Sequence, residues 1–534
     1  MNLGDTATSW ARRHWHQMLA VTAAAAIRMP TLVNGLPYVR HPDEPVNYLV
    51  IHHMVTAPTL RPGFYDYPSL QYDLQVVVHS VLGNVGVWLG WWHSFSDINL
   101  AGRRGVGTTV VLHSAPWAAA RMVTLIVACL GVWVVAGLAT RLCHSRRWGA
   151  FGGLLAAVSG IGLSTGAVIT PDSLAGTTAI VTIALLVALV DRTDESSPSR
   201  RWVITTGACL GLAVGSKYNN GALVAALAIA VLSTPRARRP DRRQLGMLGA
   251  IAVAVFVITT PAVVIDLPAF VKGIHHLIAH YAGRHDFAEG PWYTDARFLA
   301  ISDGMAVLLA VAALVFSRAR TTLVLAGWVI VYLLLLSLTQ VHFDRNLTPV
   351  LGAVAVLAAI GGQQVWRTLH WFATEKHQRR SIAVPAGLAA AFAIALVPVG
   401  VAQARTTAHH LRHELADYQT PPRLWLERQI PKGWKVIADN FSPWLDRTMW
   451  NVLPVKLSAI DSDGLLVHAG AIVATSQGSG RYLMEPNAYP EDTAKVQRLR
   501  AMACEIRHFD DGFGYWVEVW YLRCPAPAPS KVSP

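Results

Sequence analysis

The sequence predicts a polytopic α-helical membrane protein that carries a small mixed α/β domain at its C-terminal end. Three observations lead to this fold class: a composition poor in charge, recurrent apolar runs and a polar tail. Of the 534 residues, 53% are hydrophobic and 14% are charged, whereas soluble domains carry about 25% charged residues. Most of the chain therefore cannot face water.

Apolar runs close to the ~20 residues that a helix needs to cross a bilayer recur through the first 403 residues. About eleven spans are predicted, at 12–33, 115–140, 149–169, 172–190, 202–216, 218–234, 246–265, 299–316, 321–340, 346–364 and 383–403. The stretch 70–92 is also apolar, but its Gln71, Asp73 and His79 favour a helix lying in the membrane interface. We therefore expect 34–114 to be a first external loop with interfacial helices.

Basic residues predict the orientation of these spans. Clusters rich in arginine follow every second span, at 141–147, 197–201, 235–243, 317–320 and 366–380. With eleven spans they share one side with Arg12 and Arg13, which the positive-inside rule assigns to the cytoplasm. The N-terminus is then cytoplasmic, and the C-terminal domain lies outside the plasma (inner) membrane, in the periplasm of a cell that has one. Topology thus explains the net charge of +13, and a nucleic-acid partner is not expected.

The tail, residues 404–534, has the mixed composition of a water-exposed α/β domain. WKVIADN, LLVHAGAIVAT, RYLMEP and YWVEVWYLRC predict short strands between turns. The predicted division is therefore a transmembrane domain at 1–403 and an external domain at 404–534. Cys504 and Cys524 both belong to the external domain, where a disulfide between them can form; two unpaired thiols remain the alternative.

Asp43 and Glu44 form an acidic pair just after the first apolar stretch. Ionisable groups beside a bilayer are costly and usually functional. Such a pair can deprotonate or orient a hydroxyl, or hold a divalent cation. The alternative is a solvated turn between Pro42 and Pro45.

Asp172 and Lys217 interrupt apolar sequence further along the chain. Asp172, in ITPDSLAG, is predicted on the same membrane face as Asp43. It can also be read as a first-turn acid that complements the helix dipole, with Thr170 as N-cap and Pro171 as the first helical residue. Lys217, in KYNN, suits an anchor for an anionic group at a helix break, or a lysine that snorkels to the interface.

His342 and Arg345 lie in HFDRN, a predicted external turn between two apolar spans. The planar fork of an arginine can grip a phosphate, although a local contact with Asp344 or a lipid headgroup would also explain this turn. Arg121 is predicted near the outer end of its span, where it snorkels or reaches the same cavity.

Two aromatic segments are predicted to lie over this cavity. One is YDYPSLQYD, which contains Tyr67. The other is GRHDFAEGPWYTDARF, which contains His285, Trp292 and Tyr293. We expect them to form loops that contact the substrate.

The order of these motifs is more specific than any one of them. The series is DEP-N-Y, YPSLQY, an early helix with Arg121, TPD-S, GLAVGSKYN, G-PWY-F and HFDRNLTPVL. It resembles the GT-C class of membrane glycosyltransferases, and within it the protein O-mannosyltransferase-like family, which includes the aminoarabinose transferase of lipid A (families 39 and 83). The resemblance covers residues 12–365, and the tail matches nothing recognised.

The resemblance implies sugar transfer at the outer face, with inversion, from a polyprenyl-phosphate donor. Asp43 would act as the base or orient the acceptor, Glu44 would be its partner, and Asp172 would be a second acid. The cations that would neutralise the leaving phosphate are Lys217, His342, Arg345 and Arg121.

The sequence alone leaves the cofactors, the acceptor and the functional class of the protein partly open. The sequence holds no nucleotide-binding signature and no zinc spacing, while a divalent cation at Asp43 and Asp172 remains possible. The acceptor can be a lipid, a glycan or a protein, and membrane lipids surround the chain. A secondary transporter is one alternative, but it should show an internal repeat and broken helices at the bilayer midplane, whereas the ionisable residues here gather at predicted external helix ends. The other alternative is a non-catalytic scaffold for the tail.

Overall fold

The chain forms two compact units, each built from segments that are far apart in sequence. A computed structural model describes residues 3–39, 41–100, 105–193, 196–283, 290–374, 383–417, 419–460, 463–512 and 514–523. The first, here called the helical unit, contains Met1–Leu32, Val46–Asn84 and Ala118–Leu411. The second, here called the sheet unit, contains Val33–Pro45, Val85–Trp117 and Arg412–Pro534.

The helical unit is built from helices, four of which begin or end in the sheet unit. They are α1 Leu3–Arg28, α2 Asp43–Thr56, α3 Leu70–Trp88, α4 Ser114–Cys143, α5 Arg146–Ala157, α6 Gly160–Thr165, α7 Asp172–Val190, α8 Arg200–Ser216, α9 Leu223–Ser233, α10 Arg242–Thr259, α11 Ala262–Ile265, α12 Leu267–Ala282, α13 Thr294–Ser302, α14 Gly304–Phe316, α15 Arg320–Ser337, α16 Thr348–Thr374 and α17 Ala383–Leu415.

Within the described residues, six helices are long and apolar enough to cross a membrane, or seven if the bent pair α13–α14 is one span. The six are Ser114–Cys143, Asp172–Val190, Arg242–Thr259, Arg320–Ser337, Asp344–Thr374 and Pro385–Arg412. The chain is therefore a polytopic helical membrane protein. The count of eleven spans stays a prediction, since some predicted spans fall on shorter helices such as α8 and α9.

Several predicted spans are broken; 246–265, for example, is divided between α10 and α11. The stretch 149–169 forms α5 and α6 rather than one helix, because Ser159 caps α6 by accepting a hydrogen bond from the Gly162 N–H at 3.1 Å. The stretch 299–316 belongs to α13 and α14, which meet at 107° around Asp303. Short helices that end inside an apolar run leave polar backbone groups, which side chains such as Ser159 satisfy.

α16 is the central helix of this unit, with 89% of its most apolar window buried. It packs against α5, α7, α14 and α15. A Cβ at Gly361 would lie 1.9 Å from the Leu309 carbonyl oxygen of α14. The small side chains of α16 thus allow the close helix contacts that are common in membrane bundles.

The sheet unit contains a five-stranded mixed sheet in the order β6-β4-β7-β9-β8. Its helices are α18 Thr420–Gln429, α19 Gly480–Met484 and α20 Pro490–Ala501; the strands of the unit are β1 Tyr38–Val39, β2 Gly105–Val106, β3 Thr109–Val110, β4 Lys435–Ala438, β5 Leu445–Asp446, β6 Asn451–Pro454, β7 Ala469–Thr475, β8 Glu505–Asp510 and β9 Trp516–Tyr521. β4 runs parallel to β6 and β7, and β9 is antiparallel to β7 and β8. Every residue of β7 is buried, as its apolar run AGAIVAT predicts.

Short strands join the first loop to the tail within this unit. β1 pairs with β3, and Gly105 and Val106 of β2 pair with Asp446 and Leu445 of β5. Gly107 has φ +97°, and a Cβ there would lie 2.5 Å from the carbonyl oxygens of Ser442 and Pro443. Parts of the predicted first loop thus cluster with the tail, a division that the predicted boundary at 403/404 did not include.

Two predictions for the tail concern RYLMEP and the cysteine pair. RYLMEP was predicted as a strand, but most of it forms α19, because Gly480 follows a turn rather than a strand. Cys504 is disulfide-bonded. Its predicted partner Cys524 lies outside the described residues, so the pairing itself stays a prediction.

Candidate active site

Asp172 is the first residue of α7, and its side chain is buried. The N-cap position is Pro171, which has no side-chain capping bond, rather than the expected Thr170. An acid in the first turn complements the helix dipole. Burial to 2% exposure nevertheless demands a specific partner for this carboxylate.

Lys217 supplies that partner from the end of α8. The residue adopts an extended conformation that ends the helix, and the Asn220 side chain donates to the carbonyls of Ala213 and Ala175, both at 3.1 Å. The Lys217 Nζ lies 2.7 Å from Asp172 Oδ1. The KYNN break therefore directs an ammonium group into the bundle, and the snorkelling alternative does not hold.

Asn346 completes the cluster from the turn before α16. Lys217 Nζ donates to Asn346 Oδ1 at 2.8 Å, and Asn346 Nδ2 donates to the Tyr281 hydroxyl at 3.3 Å. The Tyr332 hydroxyl donates to the Asn346 carbonyl at 3.0 Å. We call Asp172, Lys217 and Asn346 the buried-lysine cluster. Sequence reasoning missed Asn346, although it stood inside the HFDRN motif.

Arg345 is the half-buried neighbour of this cluster. Its backbone N–H donates to Asp344 Oδ1 at 2.7 Å, and its guanidinium lies 4.7 Å from the centre of the Phe343 ring. It also interacts electrostatically with Asp172. A second cation therefore stands close to the buried lysine.

His342 contacts a different carboxylate. Its Nδ1 lies 2.6 Å from Asp295 Oδ2 of α13, and its Nε2 lies 3.2 Å from the Gly290 carbonyl. Both side chains are buried. Asp295 was not predicted as a site residue, and only its place in the motif around Trp292 and Tyr293 pointed to it.

Arg121 is held by the end of the first helical segment. Its Nη1 donates to the carbonyls of Thr31 and Leu32, at 3.0 and 3.2 Å. These contacts fix the chain after α1, a structural role for a guanidinium that had been predicted to bind phosphate. A part in phosphate binding stays a prediction.

The acidic pair forms the first turn of α2. Glu44 is fully buried and Asp43 half-buried, and the Asp43 N–H donates to His41 Nδ1 at 3.2 Å. Further along the same helix, Asn47 Nδ2 donates to the Ile169 carbonyl at 2.9 Å and Asn47 Oδ1 accepts from the Tyr72 hydroxyl at 2.8 Å. Burial of Glu44 argues against a solvated turn.

An apolar groove of about 660 Å³ opens directly after Lys217. Its wall includes Tyr218, Tyr281 and Leu336, and Tyr281 also accepts the hydrogen bond from Asn346. The groove and the buried-lysine cluster thus share structural elements. Such a groove can hold a long apolar chain whose polar end meets the cluster.

The remaining predicted residues are less well placed for chemistry. Tyr67 packs edge-on against Phe64, and Trp292 is 72% exposed and packs edge-on against Tyr293. His285 lies outside the described residues. The exposed rings of Trp292 and Tyr293 are typical of a surface loop.

A divalent cation finds little support in the helical unit. Across the described part of the chain, no group of three His, Cys, Asp or Glu side chains could hold a metal ion. Asp172 already has an ammonium group on Oδ1 at 2.7 Å, which a cation would have to displace. Asp172 therefore does not suit the role of metal ligand that the sequence had left possible.

The fold of the chain is similar to that of solved GT-C glycosyltransferases. Two structures show this similarity. The crystal structure of ArnT from Cupriavidus metallidurans bound to undecaprenyl phosphate matches at 16% identity and TM-score 0.52, over 96% of this chain and 98% of that one. The apo state of the same protein matches at 15% identity and TM-score 0.51, over 98% and 100%.

The family comparison adds a local match. Residues 107–264 match the family model of dolichyl-phosphate-mannose-protein mannosyltransferases. That stretch contains Asp172 and Lys217 but neither the acidic pair nor the HFDRN turn. The Archaeoglobus fulgidus oligosaccharyltransferase tethered with an acceptor peptide is also similar, at 13% identity and TM-score 0.48, over 92% of this chain and 72% of that one. No curated protein matches the chain by sequence.

Proposed function

We propose that this chain is a glycosyltransferase that moves a sugar from a polyprenyl-phosphate donor to an acceptor hydroxyl, with inversion, at the external face of the plasma membrane. The observation that carries the proposal is the buried ammonium of Lys217 beside an apolar groove. A fixed cation at the end of such a groove suits a lipid whose head is a phosphate. The ArnT structure with undecaprenyl phosphate supports the same donor class.

The donor phosphate would meet Lys217 and Arg345. A lysine ammonium has three N–H donors, and Asp172 and Asn346 take two of them. The third has no acceptor among the described residues and is available to a phosphate oxygen. Arg345 adds a planar fork of donors, and His342 is a third candidate on the same turn.

The transfer needs one bond to form and one to break. The acceptor oxygen attacks the anomeric carbon, the bond from that carbon to the phosphate oxygen breaks, and its electron pair stays on the phosphate. The cations stabilise this growing negative charge. The acceptor's proton goes to the Asp43 carboxylate, with Glu44 as its partner. A single displacement on one face inverts the configuration at the anomeric carbon.

The resemblance to the GT-C class is what assigns Asp43 and Asp172 to the same reaction. Asp172 would hold Lys217 in place, through the 2.7 Å contact between its Oδ1 and the lysine Nζ.

The proposed topology follows from the basic loops. Residues 1–403 form the catalytic membrane domain with a cytoplasmic N-terminus, and 404–534 form an external domain. A reporter fused after Pro534 should be active only when it is exported. Activity of a cytoplasm-specific reporter at this position would refute the external placement.

The test of function is transfer from a radiolabelled polyprenyl-phosphate sugar by the purified chain. Asp43→Asn keeps the shape of the side chain but cannot take up a proton at neutral pH. General-base catalysis contributes typically 10²–10⁴-fold, so we expect a loss of about that size with expression unchanged.

The matched control is Asp191→Asn, which changes an exposed acid at the other end of α7 and should leave transfer intact. Unchanged transfer by Asp43→Asn would move catalysis away from the first loop. Uptake of a solute by the wild type without any sugar transfer would favour the transporter alternative.

A further inference from the structure

The sheet unit contains a pocket of about 260 Å³ that the transfer reaction does not by itself require. Its lining comes from two parts of the predicted first loop, one that flanks the acidic pair and one around Thr108, and from the tail, which contributes Gln419, Asn440, Phe441 and Gln477. We call it the sheet-unit pocket.

Backbone pairing fixes one wall of this pocket. The Thr108 N–H donates to the Ser442 carbonyl at 2.8 Å, and the Thr108 hydroxyl donates to the same carbonyl at 3.0 Å. Gly107 alone allows this approach, because any Cβ there would collide with the carbonyls of Ser442 and Pro443. The pocket is therefore a built feature rather than a loose gap between loops.

A turn held by Asp439 fixes the opposite wall. Burial raises the pKa of Asp439 to about 6, although hydrogen bonds from Ser479, Asn440 and Thr475 oppose this rise. The Asp439 carboxylate accepts from the Ser479 N–H at 2.6 Å and from the Ser479 hydroxyl at 3.0 Å. The turn carries Gln477, whose Nε2 donates to the Tyr515 hydroxyl. That bond leaves the Gln477 Oε1 as an acceptor.

Gln419 is the residue that points to a ligand. Its side chain is 3% exposed, and its Oε1 has no hydrogen-bond partner among the described residues. A buried acceptor without a partner costs about 1–3 kcal/mol. This residue lines the pocket, so a donor group on a bound molecule would satisfy it.

The chemistry of the wall defines the class of ligand. Side-chain amides and hydroxyls come from Gln419, Gln477, Asn440, Thr108 and Thr109. Of the described residues that line the pocket, none carries a carboxylate, an ammonium or a guanidinium group. Amides and hydroxyls both donate and accept, as do the hydroxyls of a sugar. Among the described lining residues, the one titratable side chain is the imidazole of His41, so an anionic ligand would find at most one counter-charge and a cationic ligand none.

Phe441 adds an apolar surface to these polar groups. It lies at φ +61°, a left-handed conformation that side chains rarely adopt. Such strain persists where the surrounding structure requires it, often at binding sites. A ring beside several amides suits a ligand with both hydroxyl groups and an apolar C–H face, which describes a neutral sugar ring.

The geometry points to the sheet-unit pocket as the binding site for a neutral saccharide segment of the acceptor, an assignment that rests on the proposed transferase function. Pro42 and Pro45, which line it, stand immediately before and after Asp43 and Glu44 in the chain. An acceptor held there presents its hydroxyl beside the first turn of α2. The volume, just below the ~300–1,000 Å³ of typical ligand pockets, admits a sugar segment rather than a bulky lipid head.

The test is direct binding of neutral cell-envelope oligosaccharides to the purified full chain, in the absence of any donor. Gln419→Met keeps the size of the side chain but removes the amide. We expect at least one oligosaccharide to bind the wild type and to lose about tenfold in affinity, or 1.4 kcal/mol, in this variant. The melting temperature without ligand should not fall, because the variant removes an unsatisfied acceptor.

The matched control is Gln497→Ala, which changes an exposed glutamine of α20 in the same unit and should leave binding unchanged. Failure of every neutral oligosaccharide to bind, or preferential binding of an anionic oligosaccharide or a peptide, overturns the assignment. An equal affinity of Gln419→Met and wild type overturns it too. A protein that binds the oligosaccharide but transfers no sugar refutes the proposed function and leaves the pocket standing.

Discussion

The two units each contain a carboxylate paired with a cation, and the two pairs differ in surroundings more than in geometry. In the helical unit, Lys217 meets Asp172 through a single contact of 2.7 Å, with side chains 7% and 2% exposed. In the sheet unit, Arg500 meets Glu518 through two hydrogen bonds of 2.9 and 3.0 Å, with Arg500 44% exposed. By contact geometry alone, the second pair is the stronger.

The difference in burial changes what each pair contributes to the stability of the fold. Taking two charges out of water costs several kcal/mol per ion, which the mutual attraction only partly offsets. A pair near water contributes about 0–1 kcal/mol. The pair in the apolar bundle therefore contributes little to stability, and the proposed function gives it another role, that of a charge held ready for the donor phosphate.

Removal of one partner of an ion pair should have its largest effect on stability and activity in the helical unit. Lys217→Met leaves Asp172 buried without its cation, so we expect a loss of about 3–5 kcal/mol of stability, together with loss of transfer. Lys217→Met with Asp172→Asn should recover most of the stability but none of the activity. Thermal unfolding in detergent and sugar transfer measure the two quantities.

Lys272→Met is the control for this pair of variants, because Lys272 is an exposed lysine of α12 in the same unit. It should change neither quantity. Equal melting of Lys217→Met and the double variant would show that Asp172 does not depend on Lys217.

Arg345→Ala should sharpen the comparison by removing the second cation near Asp172. Because charge on the leaving phosphate grows as the bond breaks, the cation binds the transition state more tightly than the ground state. Loss of one such contact should cost about 2–4 kcal/mol, or roughly a hundredfold in rate. Arg345→Lys should recover only part, since an ammonium lacks the two-pronged grip of a guanidinium.

Steady-state kinetics with varied donor and acceptor test this prediction. The apparent Michaelis constant for the acceptor should barely change. The control is Arg318→Ala, which changes an exposed residue of the same unit and should behave as wild type. If Arg345→Ala raises only the acceptor constant, the HFDRN turn belongs to the acceptor site instead.

Glu518→Gln should have the smallest effect. Burial by itself raises the pKa of Glu518, but hydrogen bonds from Arg500 and Trp520 outweigh it, and the pKa lies below its usual value. Its charge therefore stabilises the fold above the ordinary glutamate pKa of 4.5 and ceases to do so as the pH falls through the lower pKa of the folded state. At pH 7 the variant should lose less than about 1 kcal/mol, given the exposure of Arg500.

Thermal scans of the full chain at pH 7 and pH 4 measure this dependence. The difference between wild type and Glu518→Gln should shrink at the lower pH. A difference that grows on acidification would contradict the depressed pKa.

The sequence could predict the helical fold and several of the residues that the structure brings together. Asp172 and Lys217 were conspicuous because a charge inside an apolar run needs a reason. The second partner of Lys217, Asn346, was not, since an amide costs little to place in a turn and gives no such signal. Asp295 was hidden in the same way, because its contact with His342 joins two distant segments.

The organisation of the sheet unit was beyond sequence reasoning. Strands of two residues, such as Gly105–Val106, carry no periodicity, so their pairing with Leu445–Asp446 left no pattern to detect. The break between α5 and α6 was missed for a related reason: the residues around Ser159 are as apolar as a continuous span. Hydrophobic periodicity reports what is buried, and it does not report which segments meet.

The pairing of β2 with β5 also has a consequence for the order of synthesis. A ribosome releases the first loop early, but its partner strand at Leu445–Asp446 emerges only after α17 has been made. The segment with the acidic pair must therefore wait, without its final neighbours, while the intervening membrane helices are inserted. A nascent chain that stopped after α17 could insert those helices but could not complete the unit that contains Asp43 and Glu44, so assembly of the sheet unit belongs to the last stage of biogenesis.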